Sequence, residues 1–238
     1  MSVSLPVPVD AAGLGVSEAA LALTREADVV DLHIDTFIPP RLWGYDPLAA
    51  HRRAPLGGRF FGHLDLPKLE ATGVTGAMWS ITTNPFRPAG QRWRTFLRNL
   101  DRLGALVTRS EGRIRMATTH AEYLAARADG AHACLPAIQG GNALEAAPDL
   151  AASIPGSAIT RITLVHLTNS GFGATSSPLA LWRRRQGLTP RGRDLVASMN
   201  AERILVDLAH INPSGFWDAV DVHDGSAPLV VTHTGVDG

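Results

Sequence analysis

With 238 residues, 45% of them hydrophobic, and 22 basic side chains set against 22 acidic ones, the chain can bury a large core and carries a formal net charge of zero. Balanced charge provides no long-range field, which argues against nucleic acid or an anionic membrane as a partner. The single cysteine, Cys134, excludes an internal disulfide framework and reads as a small buried hydrophobe within "HACLPAI". The opening "MSVSLPVPVDAAGLGV" lacks a basic region followed by an unbroken apolar one, and no later segment is long and apolar enough to span a bilayer. The expectation is a cytoplasmic protein.

Taken in chain order, apolar β-branched runs alternate with helix-like segments. Ser17 is placed to cap a short helix through Glu26, and a strand is expected from Asp28 to Thr36. The segment from Pro39 to Pro67, rich in Gly, Pro and Arg, suits an excursion over a barrel mouth. A strand from Val74 to Thr82 precedes an amphipathic helix from Trp93 to Arg109, and "TTHAEYLAARADG" runs from a capping Thr to a terminating Gly. Strands follow at Ala133 to Gln139 and Thr160 to Thr168. "TPRGRDLVASMNAER" then reads as a helix with Pro190 near its first turn and Leu195, Val196 and Met199 on one side. The last expected strands are Arg203 to Ile211 and Pro228 to His233. This alternation predicts a parallel α/β fold, and no repeat, low-complexity tract or linker divides residues 1–238 into more than one domain.

The chemistry gathers at the strand ends. In "VVDLHIDT", Asp31, His33 and Asp35 share one side of a strand while Leu32 and Ile34 share the other. "TLVHL" ends on His166, "VDLAHI" on His210 and "VVTHT" on His233, and "LPAIQGG" delivers Gln139 to the same kind of position. A lone histidine at a strand end is more often a hydrogen-bonded core residue than a ligand. Independent structural histidines have no reason to recur there, however, and α/β barrels build their sites at the C-terminal ends of strands. Imidazole and carboxylate together suit zinc or a similar divalent ion, which points to hydrolytic chemistry. His63 and Asp65 in "FGHLDLP" copy the spacing but lead into a turn, so capping or loop anchoring is expected of them; His120, His132 and His223 follow no strand end and read as surface or structural. Trp79 and Trp182 read as packing residues, and the run Arg183 to Arg185 as a solvated face.

In the order "DLHIDT", "GHLDLPKLEATGVTGAMWS", "IQGGNAL", "ITLVHLTNSGFG", "GLTPRGRDLVASMNAERILVDLAHI" and "PLVVTHTG", the sequence resembles the membrane dipeptidase (renal dipeptidase-like) family of zinc metallopeptidases, within the amidohydrolase-type barrels. The resemblance implies a TIM-type (β/α)8 barrel and hydrolysis of the amide bond of a small dipeptide by metal-activated hydroxide. It implies that His33 and Asp35 hold one metal, that His210 and His233 hold another, and that His166 contacts substrate. It also implies pairing as a homodimer. A phosphotriesterase-like barrel would need a carboxylated lysine, but Lys68, the sole lysine, is not at a strand end; a deaminase-type barrel would carry HxH on its first strand.

Two departures modify this expectation. The family's bridging glutamate falls at Gln139, whose neutral amide lacks the anionic oxygen that holds two dications together, so one Zn2+ is expected to bind firmly and a second weakly or not at all. About six of the eight strands of a full barrel are present, and the substrate-contacting arginine and proton-transferring aspartate of the family are not found after "THTGVDG". A C-terminally truncated barrel is therefore expected, with a catalytically degenerate or non-catalytic metal-binding relative as the alternative to an active dipeptidase.

Overall fold

The computed structural model describes residues 10–35, 44–51, 63–178 and 186–234. Two helices, α1 (Ala11–Leu14) and α2 (Glu18–Glu26), lead into β1 (Val30–Ile34); as expected, Ser17 caps α2 by accepting from the Ala20 N–H at 3.1 Å. There follow α3 (Leu66–Thr72), β2 (Gly76–Thr82), α4 (Ala89–Arg109), β3 (Ile114–Met116), α5 (His120–Ala128) and β4 (His132–Gln139). After several 3-10 turns come β5 (Arg161–Thr163), α6 (Pro190–Ala201), β6 (Leu205–Asp207) and α7 (Pro213–Val222). All strand pairs are parallel, in the order β1-β2-β4-β5-β6, with β3 and β5 sharing one edge of β4 at its start and its end respectively. This is an α/β half-barrel, as the alternation of strands and helices predicts.

Register sorts the strand side chains into two faces. Trp79 and Ile81 of β2, Cys134 and Ile138 of β4, Ile162 of β5 and Val206 of β6 share the outer face and are fully buried, packed with Phe96, Leu103 and Leu106 of α4 and with Leu195, Val196 and Met199 of α6. On the inner face the paired residues form layers: Met78 beside Leu135, then Ser80, Ala137, Arg161 and Leu205, then Thr82, Gln139, Thr163 and Asp207. Polarity rises along this series toward the C-terminal ends, so the apolar end of the barrel holds the fold and the polar end is left for chemistry. Among the described residues no helix is long and apolar enough to cross a membrane.

Several elements differ from expectation for identifiable reasons. The strand expected at Pro228 to His233 is a single parallel bridge from Val230 to Asp207, because the Thr232 N–H turns to the Asp207 carboxylate at 3.2 Å instead of continuing the ladder. The strand expected from Arg203 to Ile211 stops at Asp207, whose Oδ1 accepts from the Ala209 N–H at 3.0 Å in a side-chain turn, and the one begun at Thr160 ends at Thr163. Strand β3 and helices α1, α3 and α7 were not expected, the first three because they are short, although Asp65 and Asn212 mark the starts of α3 and α7 by capping the N–H groups of Lys68 and Gly215 at 3.0 and 2.8 Å. The capping expected of Asp65 is thus met. Of the segment from Pro39 to Pro67, only 44–51 and 63–67 are described; Trp182 and Arg183 to Arg185 lie outside the described residues.

Candidate metal centre at the strand ends

The inner face ends in a compact cluster. Four of the expected site histidines come together: the rings of His33 and His233 stack with centroids 3.9 Å apart, His210 meets His233 edge-on at 4.7 Å, and His166 meets His210 edge-on at 4.8 Å. Gln139 is buried in the middle, its Nε2 lying 3.5 Å from His210 Nε2 and 3.4 Å from His233 Nε2. Asp35 joins through Thr82, whose hydroxyl stands 2.9 Å from Asp35 Oδ1 and 3.0 Å from Gln139 Oε1. All six expected site residues therefore share one centre, delivered by or just beyond β1, β4, β5, β6 and the Val230 bridge.

Residues not singled out from the sequence hold this cluster from below. Arg161 and Asp207 form an ion pair at 2.5 Å with both side chains fully buried. Arg161 Nη2 donates to Ser80 Oγ at 2.7 Å, and that oxygen lies 3.0 Å from His33 Nδ1. On the opposite side the Thr232 hydroxyl donates to Asp207 Oδ2 at 2.8 Å and lies 2.9 Å from His233 Nδ1. Charged residues inside apolar runs, Arg161 in "ITRITLV" and Asp207 in "ILVDLAHI", were the available signal. His210 itself sits at φ 64°, left-handed for a side chain with a Cβ, and its carbonyl accepts from the Ser176 N–H at 2.8 Å, the Thr175 hydroxyl at 2.9 Å and the Ser176 hydroxyl at 3.1 Å. The Ser176 N–H and hydroxyl, with the Thr175 proton shared between this carbonyl and that of His166, hold a conformation that is sparsely populated otherwise.

Electrostatics keeps the imidazoles neutral. Burial pushes His33 down to about 3, with His233 and Arg161 adding to the effect, and pushes His166 down to about 4, helped by His210 and His233. His210 and His233 are also lowered, chiefly by burial. Neutral imidazoles offer lone pairs, which is the form in which histidine binds a metal. The donor set fits a divalent cation in a second respect: the Asp35 carboxylate adds anionic oxygen to the imidazoles, its Oδ1 held by the Thr82 hydroxyl at 2.9 Å. The spacing is that of a hydrogen-bonded group. His210 and His233 place their Nε2 atoms 2.7 Å apart, whereas two ligands of one tetrahedral zinc stand about 3.3 Å apart. Among the described residues no three His, Cys, Asp or Glu side chains already stand around a common coordination point. A small spreading of the two rings would be needed.

Other expectations are met away from this centre. His132 is buried at the start of β4, between Trp79 Nε1 at 3.1 Å and the Val74 carbonyl at 3.0 Å, and His223 closes α7 against Asn200 at 2.9 Å; His63, by contrast, is exposed, and the capping expected there falls to Asp65. A cavity of about 560 Å³ lies at the opposite end of the strands, lined by Val30, Met78, Leu135 and Leu205 among others, and contains none of the six site residues. Trp79 is fully buried, a packing residue as expected.

The family model described as membrane dipeptidase (Peptidase family M19) matches residues 17–238. A metallo peptidase from Rhodobacter sphaeroides, solved with a phosphinate mimic of the dipeptide L-Ala-D-Ala, is 26% identical, with a TM-score of 0.72 covering 87% of this chain and 65% of that one. An uncharacterized protein in the PQQ-III 3' region of Acinetobacter calcoaceticus is 26% identical over 235 residues, 88% of this chain and 71% of its own length. Dipeptidase tcpJ of Claviceps purpurea is 27% identical over 184 residues, 73% of this chain and 42% of its own. The chain thus spans less than two thirds of the solved metallo peptidase and less than half of the fungal dipeptidase. The half-barrel, the strand-end cluster and a match across most of the sequence agree: the chain belongs to the membrane dipeptidase family, peptidase family M19.

Proposed function

We propose that the strand-end cluster is the site of a metal-dependent dipeptidase, with zinc as its metal. The observation that carries this reading is the convergence of His33, Asp35, Gln139, His166, His210 and His233 from separate strands onto one polar mouth. The family is one of metallopeptidases, so a metal cofactor is implied. His33 and Asp35 would hold the firmly bound ion, because theirs is the pair that includes an anionic donor, and Gln139 Oε1 lies on the same side beside Thr82. His210 and His233 would hold a second ion weakly: between the pairs stands a neutral amide, which offsets none of the repulsion between two dications.

When bound, such an ion supplies Lewis acidity and a water of lowered pKa. His166, neutral at physiological pH, would donate an N–H to the substrate carbonyl oxygen as negative charge develops there. Thr82 fixes the orientation of the Asp35 carboxylate, and Gly140, at φ 93° with the His166 Cβ near it, lets the chain after Gln139 pass close to the mouth. A small dipeptide is the proposed substrate; the phosphinate in the related metallo peptidase mimics L-Ala-D-Ala, which makes that dipeptide the first to assay. Hydrolysis of L-Ala-D-Ala and its L,L counterpart, followed with zinc-loaded and chelator-treated protein, tests the reading. Turnover restored by zinc and lost in His166→Ala is the expected result; a folded, zinc-loaded protein that cleaves neither dipeptide would refute it.

A further inference from the structure

Beneath the candidate centre, the Arg161–Asp207 pair has no solvent exposure on either side chain, and Arg161 Nε makes no hydrogen bond among the described residues. A buried ion pair of this kind stabilises a fold weakly, since desolvation of two charges offsets most of their attraction. Its contacts upward are more specific. The cation reaches Ser80 Oγ at 2.7 Å and His33 Nδ1 at 3.4 Å; the anion receives the Thr232 hydroxyl at 2.8 Å, and that hydroxyl faces His233 Nδ1 at 2.9 Å. Because Thr232 spends its only proton on Asp207, it must accept from His233, which places the ring proton on Nδ1 and the lone pair on Nε2. His33 is also held at Nδ1, by Ser80 Oγ at 3.0 Å and Arg161 Nη2 at 3.4 Å, but the guanidinium can only donate, so these contacts orient the ring without placing its proton on Nδ1. The stacked rings of His33 and His233 are thus each gripped from the buried side, one from each end of a single ion pair.

We infer that Arg161 and Asp207 are positioning residues, which act through Ser80 and Thr232 to hold His33 and His233 by Nδ1 so that Nε2 of each is offered at the mouth. The inference rests on the metal-site reading for its purpose, but its geometry is a property of the metal-free chain. Groups that orient a ligating histidine through its second nitrogen are worth about 10- to 100-fold in metal affinity.

The test replaces both charges at once, as Arg161→Met with Asp207→Leu, so that neither is left buried and unpaired. Two readouts are taken: zinc affinity by chelator competition, and the imidazole nitrogen-15 resonances of the metal-free protein. The expected result is a folded protein with zinc affinity lowered about 10- to 100-fold, with the His233 resonances moved toward a mixture of tautomers and those of His33 displaced. Unchanged resonances, with zinc affinity within about twofold of the parent, would overturn the inference. Should the double variant not fold, Ser80→Ala and Thr232→Val remove the links alone: Ser80→Ala should move the His33 resonances, Thr232→Val those of His233, and no movement in either would overturn it equally. A parent protein that binds no zinc would refute the dipeptidase reading and leave the resonance test standing.

Discussion

On the proposed reading, Gln139 sets how many metals the centre holds. Its amide contacts both halves, with Oε1 on the Thr82 side and Nε2 on the side of His210 and His233, yet brings no charge to either. Gln139→Glu should raise the zinc retained after dialysis from about one equivalent to about two, because the added carboxylate offsets the repulsion between the ions; elemental analysis that finds no change would count against the assigned role. His132 governs a different property. It is buried with a lowered pKa, chiefly from burial, and is neutral because its ring takes the Trp79 N–H on one nitrogen and donates to the Val74 carbonyl from the other. Its folded pKa lies below the ordinary 6.5, so below that pH the unfolded chain takes up a proton that the folded chain does not. Stability should be full above about pH 6.5 and decline as the pH falls further. His33 and His166, lowered to about 3 and about 4, act in the same direction. Urea unfolding of the metal-free protein at a series of pH values from 7.5 downward checks this, and a stability that is flat to about pH 5 would contradict it.

At the scale of elements, the connections past the strands hold the site. The loop after β5 is tied to the one after β6 by Thr175, whose hydroxyl stands 2.5 Å from the His166 carbonyl and 2.9 Å from that of His210. Thr175→Val should cost about 1–3 kcal/mol, since the one hydroxyl proton that the two partly buried carbonyls share is lost and the left-handed His210 loses one of its restraints; an unchanged urea midpoint would show that Ser176 suffices. Helix α6 approaches the same loop so closely that a Cβ on Gly192 would lie 1.9 Å from the Phe172 carbonyl oxygen. Gly192→Ala should therefore destabilise by about 1–3 kcal/mol or more as the backbone shifts, readable as a lower thermal midpoint. The helices at Ser17, Thr119 and Thr189 were legible because capping is local: each of these side chains accepts a hydrogen bond from an N–H three residues on. The His33–Asp35 pair was legible for the same reason, as alternation about Ile34 puts both on one face, whereas Asp31, expected with them, stands opposite Ala77 on the outer side because the register shifts between Asp31 and Ile34. Ser80, Arg161, Asp207 and Thr232 were not, because their partners are set by sheet register. Ser80 meets His33 across 47 residues and Arg161 reaches the same ring across 128, pairings that no local period encodes.

Across the molecule, one parallel half-barrel separates stability from chemistry along the same strands. Strands β2 and β4 enter apolar, with Met78 beside Leu135, and leave polar, with Thr82 beside Gln139. The outer face packs on helices throughout, so the polar inner layers can carry a buried ion pair and neutral histidines without exposing the core. The segment at Val230 joins this arrangement only by a bridge to Asp207, yet it delivers His233, the ring that touches both His33 and His210. The central claim is that these strand ends form a metal-dependent dipeptidase site. It is tested most directly by measuring zinc content and L-Ala-D-Ala turnover on one dialysed sample, for the parent protein and for His33→Ala. The account predicts about one bound zinc with turnover in the parent, and loss of both in the variant. Turnover that survives His33→Ala, or a parent that binds no zinc even after its addition, would contradict it.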